Sequence, residues 1–208
     1  MSSYRGLLKH QKDNLLFLDP SINYTGWSVW ALSDTSIKLT AFGLIEALKN
    51  DQRLADRVAY MVDCVGLKRD HYKCKWTCVE QPPQTIYGWQ TMPPERIVAR
   101  AQSVFKTMGV TMGLLTGLRS NRLPDPVPFF PRHWEPSDKA RGKRPIKEWS
   151  LDQANCLIRD FSDTDERVYL TTKKDENIAD AICMGFIMSH KFLDAASPTA
   201  WSKDHLTE

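Results

Sequence analysis

Three carboxylates stand in this sequence where a charge is out of place. Asp19 closes the apolar run "LLFL", Glu80 closes "KWTCV", and Asp180 lies inside the apolar segment "IADAICMGFIM". Charged carboxylates are seldom buried without a partner. If the two strand ends lie side by side and a helix crosses them, the three converge, and like charges that converge repel unless cations stand between them. Hard oxygen donors suit Mg²⁺ or Mn²⁺, and a pair of such ions about 3.5–4 Å apart serves in-line attack of water on a phosphodiester. Each residue also has a plainer reading: Asp19 opens an Asx-type turn, Glu80 pairs with a lysine, and Asp180 faces solvent.

The elements that must position these groups follow from periodicity. Residues 15–19, 27–32 and 37–45 are apolar and β-branched runs separated by Pro20, Asn23, Gly26 and Ser33-Asp34, the pattern of an antiparallel meander. Leu54, Val58, Met61 and Val65 then fall four, three and four apart, which predicts a helix over 51–67. A fourth strand, 75–80, ends in Glu80 and is stopped by Pro82 and Pro83. A long helix over 94–118 follows, with Ile97, Ala101, Val104, Met108 and Met112 on its inner side and Gly109 and Gly113 permitting close packing. The proline-rich "PVPFFP" (126–131) is a poor fifth strand, 146–161 a helix, 167–171 a short extended piece, and 175–192 the last helix. Strands in a meander, then helix and strand alternating, predict a mixed α/β sheet with helices packed on it.

The chain has 208 residues and 42% hydrophobic content, enough for one substantial core and short for two full domains. We expect a single domain over 1–208, with an N-terminal extension (1–13), a basic loop (131–147) and a C-terminal tail (193–208). The net charge of +3 permits a polyanionic partner without demanding one. No segment approaches the roughly 18 apolar residues of a membrane span, and no signal-peptide core is present, so a soluble intracellular protein with no membrane partner is expected. Five cysteines do not form a secreted disulfide framework. Cys64, His71, Cys74 and Cys78 invite a zinc reading, but alternation places Cys74, Trp76 and Cys78 on one strand face, and reduced packing cysteines are favoured.

"FLDPSINYTGWSV" resembles the first-strand signature of RuvC-type Holliday-junction resolvases, an Asp-Pro-Ser or Asp-Pro-Gly followed by Thr-Gly and an aromatic. "CVEQPP" resembles their fourth-strand motif, and "NIADAICMGF" their C-terminal Ala-Asp-Ala helix. The three occur in the family's order from about 15 to 192, and the Ser21 variant with Trp27 is closer to phage-type members. The resemblance implies a ribonuclease H-like fold: α/β, with a mixed five-stranded sheet and helices on both faces. It implies a Mg²⁺-dependent endonuclease for four-way junctions and other branched DNA, with Mn²⁺ as substitute, working as a homodimer that makes paired nicks. Host-cell cytoplasm is the implied setting.

By the same resemblance Asp19, Glu80 and Asp180 are metal ligands. The family usually carries a further acid or a histidine three residues before the last Asp, and here that position is Asn177. Glu176 lies about 40° round the helix from Asp180 and Asp175 about 140°, so Glu176 is the candidate fourth ligand, with Asn177 a neutral substitute.

A junction nuclease must hold several duplex arms, and the basic loop offers Arg132, Lys139, Arg141, Lys143, Arg144 and Lys147 to phosphates, with Lys173 and Lys174 ahead of the last helix. Arg96, Arg100 and Lys106 on the long helix could add contacts. Tyr87 and Trp89, in a Gly-containing loop after Glu80, are placed to stack on opened bases, and His133-Trp134 is a weaker pair of the same kind. Solvated surface charge and aromatics packed on the body are the plainer alternatives. Two other classes remain in view. An actin-like or sugar-kinase phosphate loop also begins with Asp and Thr-Gly, but needs a second such domain. A non-catalytic branched-DNA binding protein would fit the loss of an acid at Asn177.

Overall fold

The computed structural model describes residues 13–33, 36–48, 53–82, 89–119, 122–163 and 168–195, together with Pro198 and Trp201. Five strands form one sheet in the order β3-β2-β1-β4-β5: β1 (Asp13–Pro20), β2 (Tyr24–Ser33), β3 (Ser36–Glu46), β4 (Cys74–Glu80) and β5 (Val127–Phe129). The first three pair antiparallel, as a meander must, while β4 joins β1 and β5 joins β4 in parallel. The parallel joins need crossovers, supplied by α1 (Leu54–His71) and α2 (Pro94–Gly117). α3 (Ile146–Phe161) and α4 (Asp175–Asp194) complete the fold. The expected mixed α/β sheet is therefore present, with helices on both faces. Among the described residues no helix is long and apolar enough to cross a membrane.

Alternation along β1 divides the core. Leu15 and Phe17 point to the layer built with α3 and α4, where Trp30, Ala154, Ile182, Met184 and Met188 are buried. Leu16 and Leu18 point to the layer of α1 and α2, with Val29, Met61, Val65, Val110 and Leu114. Each Leu, Ile, Val, Met or Phe among them contributes roughly 1.5–3 kcal/mol by leaving water. By the same alternation, Asp19 and Glu80 fall on the α4 side of their strands.

Two local readings are corrected. In α2 the inner stripe continues from Ile97, Ala101 and Val104 to Val110, Thr111 and Leu114, so Met108 and Met112 are exposed. Their apolar type suggested burial, but the helix presents apolar side chains on both its faces. Gly113 is where close packing is needed: a β-carbon there would stand 2.2 Å from Val58 Cγ1 of α1. In β4, Asn14 pairs with Cys74 but Leu15 with Trp76, a bulge that takes Lys75 out of register. Cys74 thereby joins the α1/α2 layer and Cys78 the α3/α4 layer. Both thiols are buried and free, and burial pushes each well up from its ordinary range.

The 167–171 stretch forms no strand over its described residues. From the C-terminal tail, Trp201 returns to the core, stacking edge-on with Phe192 at 5.6 Å and with His133 at 5.0 Å.

Candidate active site

Asp19 and Glu80 are brought together by register. Leu18 pairs with Val79, so the next residue of each parallel strand is one of the two acids, both at the C-terminal edge of the sheet. The two carboxyl groups stand close enough for each to shift the ionisation of the other. Trp134 donates its indole N–H to Glu80 Oε1 at 2.5 Å.

Asp180 arrives from α4, and the first-strand motif explains how. The helix crosses β2 so closely that a β-carbon on Gly26, the residue paired with Asp19, would lie 1.9 Å from the Asn177 carbonyl oxygen. Ser28 then donates its hydroxyl to the Ala181 carbonyl at 2.6 Å, fixing the helix one residue from Asp180. Below, α3 packs Ser150, Ala154 and Ile158 inward, a four-residue spacing that puts one face of the helix against α4. That packing carries Lys147, at the start of α3, onto Asp180 Oδ2 in an ion pair.

Asp180 is buried, and its Oδ1 has no hydrogen-bond partner. Burial, then the charge of Asp180, lifts Asp19 to about 7 despite the opposing pull of Lys147. Burial and the neighbouring Asp19 raise Glu80 well above the usual carboxylate range, opposed by the Trp134 hydrogen bond. Lys147 is pulled down by burial, but Asp180, Asp19 and Glu80 outweigh this and hold its ammonium firmly charged. Beside the acids opens a cleft of about 200 Å³, floored by Asp19 and Glu80 and walled by Pro131 and by Ser103 and Thr107 of α2.

Among the described residues, no three acidic, histidine or cysteine side chains are gathered tightly enough to hold an ion as they stand. The donor set nevertheless fits a hard divalent cation. Asp19 and Glu80 are destabilised as anions by burial and by neighbouring charge, and Asp180 beside them has one oxygen on the Lys147 ammonium and the other buried without a partner.

The helix start holds the candidates for a fourth ligand. Asp175 Oδ2 accepts from the backbone N–H groups of Thr171 and Thr172, at 2.9 and 2.8 Å, and closes the turn before α4. Asn177 donates its side-chain N–H to Ser21 Oγ at 3.2 Å, joining the helix to the turn after Asp19. Glu176 is half-buried in the first turn. The other carboxylate whose charge reaches Asp19 is Glu135, in the connection after β5. Sequence reading passed it over, because nothing in "HWEPSD" singles it out. Arg57 was also missed: it is buried in α1 and donates to Asn23 Oδ1 at 2.8 Å, bracing the β1–β2 turn from the opposite side.

The basic residues are dispersed. Lys139, Lys143 and Lys173 are exposed, as is Arg132, whose guanidinium lies 5.5 Å over the Phe130 ring. Arg144 pairs with Asp152 at 2.5 Å and Lys174 with Glu46 at 2.9 Å. Arg141 pairs with Asp138 and is largely covered, and Lys147 is the one member of the loop set that turns into the acids. Tyr87 lies outside the described residues. Trp89 opens a short 3-10 turn, Trp89–Thr91. Trp134 is buried under Glu80.

A central antiparallel meander extended in parallel by β4 and β5, with helices on both faces, is the ribonuclease H-like fold. Within that class the chain has the fold of the RuvC-type resolvases. It superposes on Thermus thermophilus RuvC with a TM-score of 0.57 and 15% identity over 88% of this chain and 98% of that one. For T. thermophilus RuvC in complex with a Holliday junction substrate the values are 0.56 and 14%, over 89% and 98%. The yeast mitochondrial Holliday junction resolvase Ydc2 gives 0.54 and 10%, over 91% and 85%. No family model and no curated protein matches the sequence.

Proposed function

We propose that this chain is a divalent-metal-dependent endonuclease that cuts branched DNA, four-way junctions above all. One observation carries the reading: Asp19, Glu80 and Asp180, separated by up to 161 positions, meet on one face of the sheet, and a buried oxygen of Asp180 is left without a partner. A structural role would pair that oxygen. The fold shared with resolvases supports the substrate class.

In this reading Asp19, Glu80 and Asp180 hold Mg²⁺, or Mn²⁺ in its place. A bound ion would offset their mutual repulsion and lower the pKa of an attacking water. The chain's own groups do the rest. Trp134 keeps Glu80 oriented and favours its ionised form. Ser28 and Gly26 set the depth of Asp180. Lys147, released from Asp180, supplies a cation for a phosphate oxygen beside the acids. The exposed Arg132, Lys139, Lys143 and Lys173 bind flanking phosphates, with Arg144 and Lys174 at the price of surface ion pairs. Tyr87 and Trp89 are the candidates for stacking on bases at the branch.

Paired incision needs two subunits related by a two-fold axis. Val98, Phe105 and Met112 of α2 recur every seven residues and are exposed, Phe105 at 71%. That stripe, with Met108, is the surface a second copy would cover.

The test is a panel of synthetic junction, fork, flap and plain duplex DNA with Mg²⁺. Cutting of branched substrates in preference to duplex is expected. Junction binding without cleavage in either Mg²⁺ or Mn²⁺ would favour a non-catalytic branched-DNA binding protein, a reading to which the Lys147–Asp180 ion pair lends some weight.

A further inference from the structure

We propose that Trp201 is a positioning residue for the active site: it clamps His133 and so fixes the turn that lays Trp134 against Glu80. The activity it would serve rests on the nuclease reading above. Trp134 is buried, and its indole N–H meets Glu80 Oε1 at 2.5 Å. Hydrogen bonds weaken steeply with angle and distance, so this one lasts only while the backbone that carries Trp134 keeps its place.

That backbone is poorly able to hold itself. β5 has three residues, and the chain leaves it through the single 3-10 turn Pro131–His133. His133 donates its backbone N–H to the Phe130 carbonyl at 2.9 Å, and Trp134 donates its own to the Pro131 carbonyl at 3.0 Å. Bonds of this span close a turn, but their geometry is poorer than in an α-helix. Further support converges on His133. Its Nδ1 accepts the Phe130 N–H at 3.1 Å, which fixes the ring, and Lys191 of α4 bonds to its carbonyl.

Trp201 supplies the hold that ties this turn to the rest of the site. Its ring meets that of His133 edge-on at 5.0 Å and that of Phe192 of α4 at 5.6 Å. Phe192 stacks in turn on Phe17 of β1, centroids 6.1 Å apart, and Phe17 shares its strand with Asp19. All of these rings but His133 lie in one buried layer with Trp134 and Phe129. Trp201 therefore touches the turn beneath Glu80 and the helix that carries Asp180, and through one further ring it reaches the strand that carries Asp19. Edge-on aromatic contacts favour a particular orientation as well as a distance, so the wedge sets the angle of the turn.

The test reads the Trp134 indole N–H directly, by NMR of the metal-free full-length protein, its signal assigned by its loss in Trp134→Phe. Trp201→Leu keeps an apolar side chain but removes the ring. It should speed solvent exchange of that N–H about tenfold or more while the remaining indole signals stay in place, and Trp201→Phe should restore most of the protection. His133→Ala removes the other half of the contact; it should match Trp201→Leu and stands in for it if that variant fails to fold. In single-turnover cleavage of a synthetic four-way junction with Mg²⁺, Trp201→Leu should lose about tenfold in rate with junction affinity within about twofold of wild type, and should lose nothing further in a Trp134→Phe background. Unchanged exchange in Trp201→Leu and His133→Ala overturns the inference, as does a rate loss that simply multiplies with that of Trp134→Phe. A wild-type chain that cuts nothing, with exchange in the expected order, overturns the nuclease reading and upholds the clamp of Trp201 on Trp134.

Discussion

The carbonyl oxygen of Asn177 sits directly over Gly26, where a β-carbon would have to approach it to 1.9 Å. The glycine of the first-strand motif is thus the seat of the helix that carries Asp180. Gly26→Ala should push α4 off the sheet, at a cost of about 1–3 kcal/mol from overpacking. Differential scanning calorimetry should show a lower midpoint, and junction cutting should fall much further than the stability loss explains, because Asp180 moves with the helix. A variant that cuts like wild type would mean that the depth of α4 does not set the site.

Removing the Trp134 indole N–H should act through Glu80. In Trp134→Phe the ring volume is nearly kept, but the hydrogen bond that opposes the raised pKa of Glu80 is gone. Glu80 then ionises at higher pH, so the acidic limb of the pH–rate profile should move upward, with a loss of about tenfold near neutrality that is recovered as pH rises. A uniform loss at every pH would point to simple misfolding.

Stability of the metal-free protein should depend on pH in a particular sense. Asp19 moves from an ordinary value of 3.8 to about 7 on folding. Between these values the folded state keeps a proton that the unfolded state has released, so stability falls as pH rises from about 4 to 7 and levels off above. Asp19→Asn should flatten that decline in a thermal-melt series, and Mg²⁺ should stabilise wild type more at pH 8 than at pH 5.

Lys147 gives a linkage of the same sense in a higher pH window. Its charged form is favoured by the acids, so its contribution is complete below the ordinary lysine range near 10.5 and fades only as pH rises above it. The side chain is 43% exposed, which limits the effect to about 1 kcal/mol in the screened setting. Lys147→Met should lower the metal-free melting midpoint at pH 7, and saturating Mg²⁺ should narrow the difference by supplying the missing positive charge. No narrowing would place the metal away from Lys147.

Much of this was legible in the sequence, for identifiable reasons. Apolar runs that stop at Asp19 and Glu80 record local alternation, and the helix over 146–161 is recovered in full because its amphipathic spacing follows directly on Pro145. Three features depend on contacts between distant segments and leave no periodic trace. Trp134 reaches Glu80 only because β5 lies beside β4, Lys147 turns inward only because α3 packs on α4, and the turn at His133 is held by Lys191 and Trp201. The bulge at Lys75 is likewise silent, since one extra residue changes no residue type. Exposed Met108 and Met112 misled because apolar type alone does not distinguish a core position from an exposed helix face.

The most direct measurement is cleavage of an end-labelled synthetic four-way junction by wild type, Asp19→Asn and Glu80→Gln in Mg²⁺, with binding followed in parallel by gel shift. The expected result is paired nicks near the branch point by wild type, none by either variant, and similar junction affinity for all three. Wild-type protein that binds the junction and leaves every strand intact, or variants that still cut, would contradict a metal-dependent nuclease centred on these carboxylates.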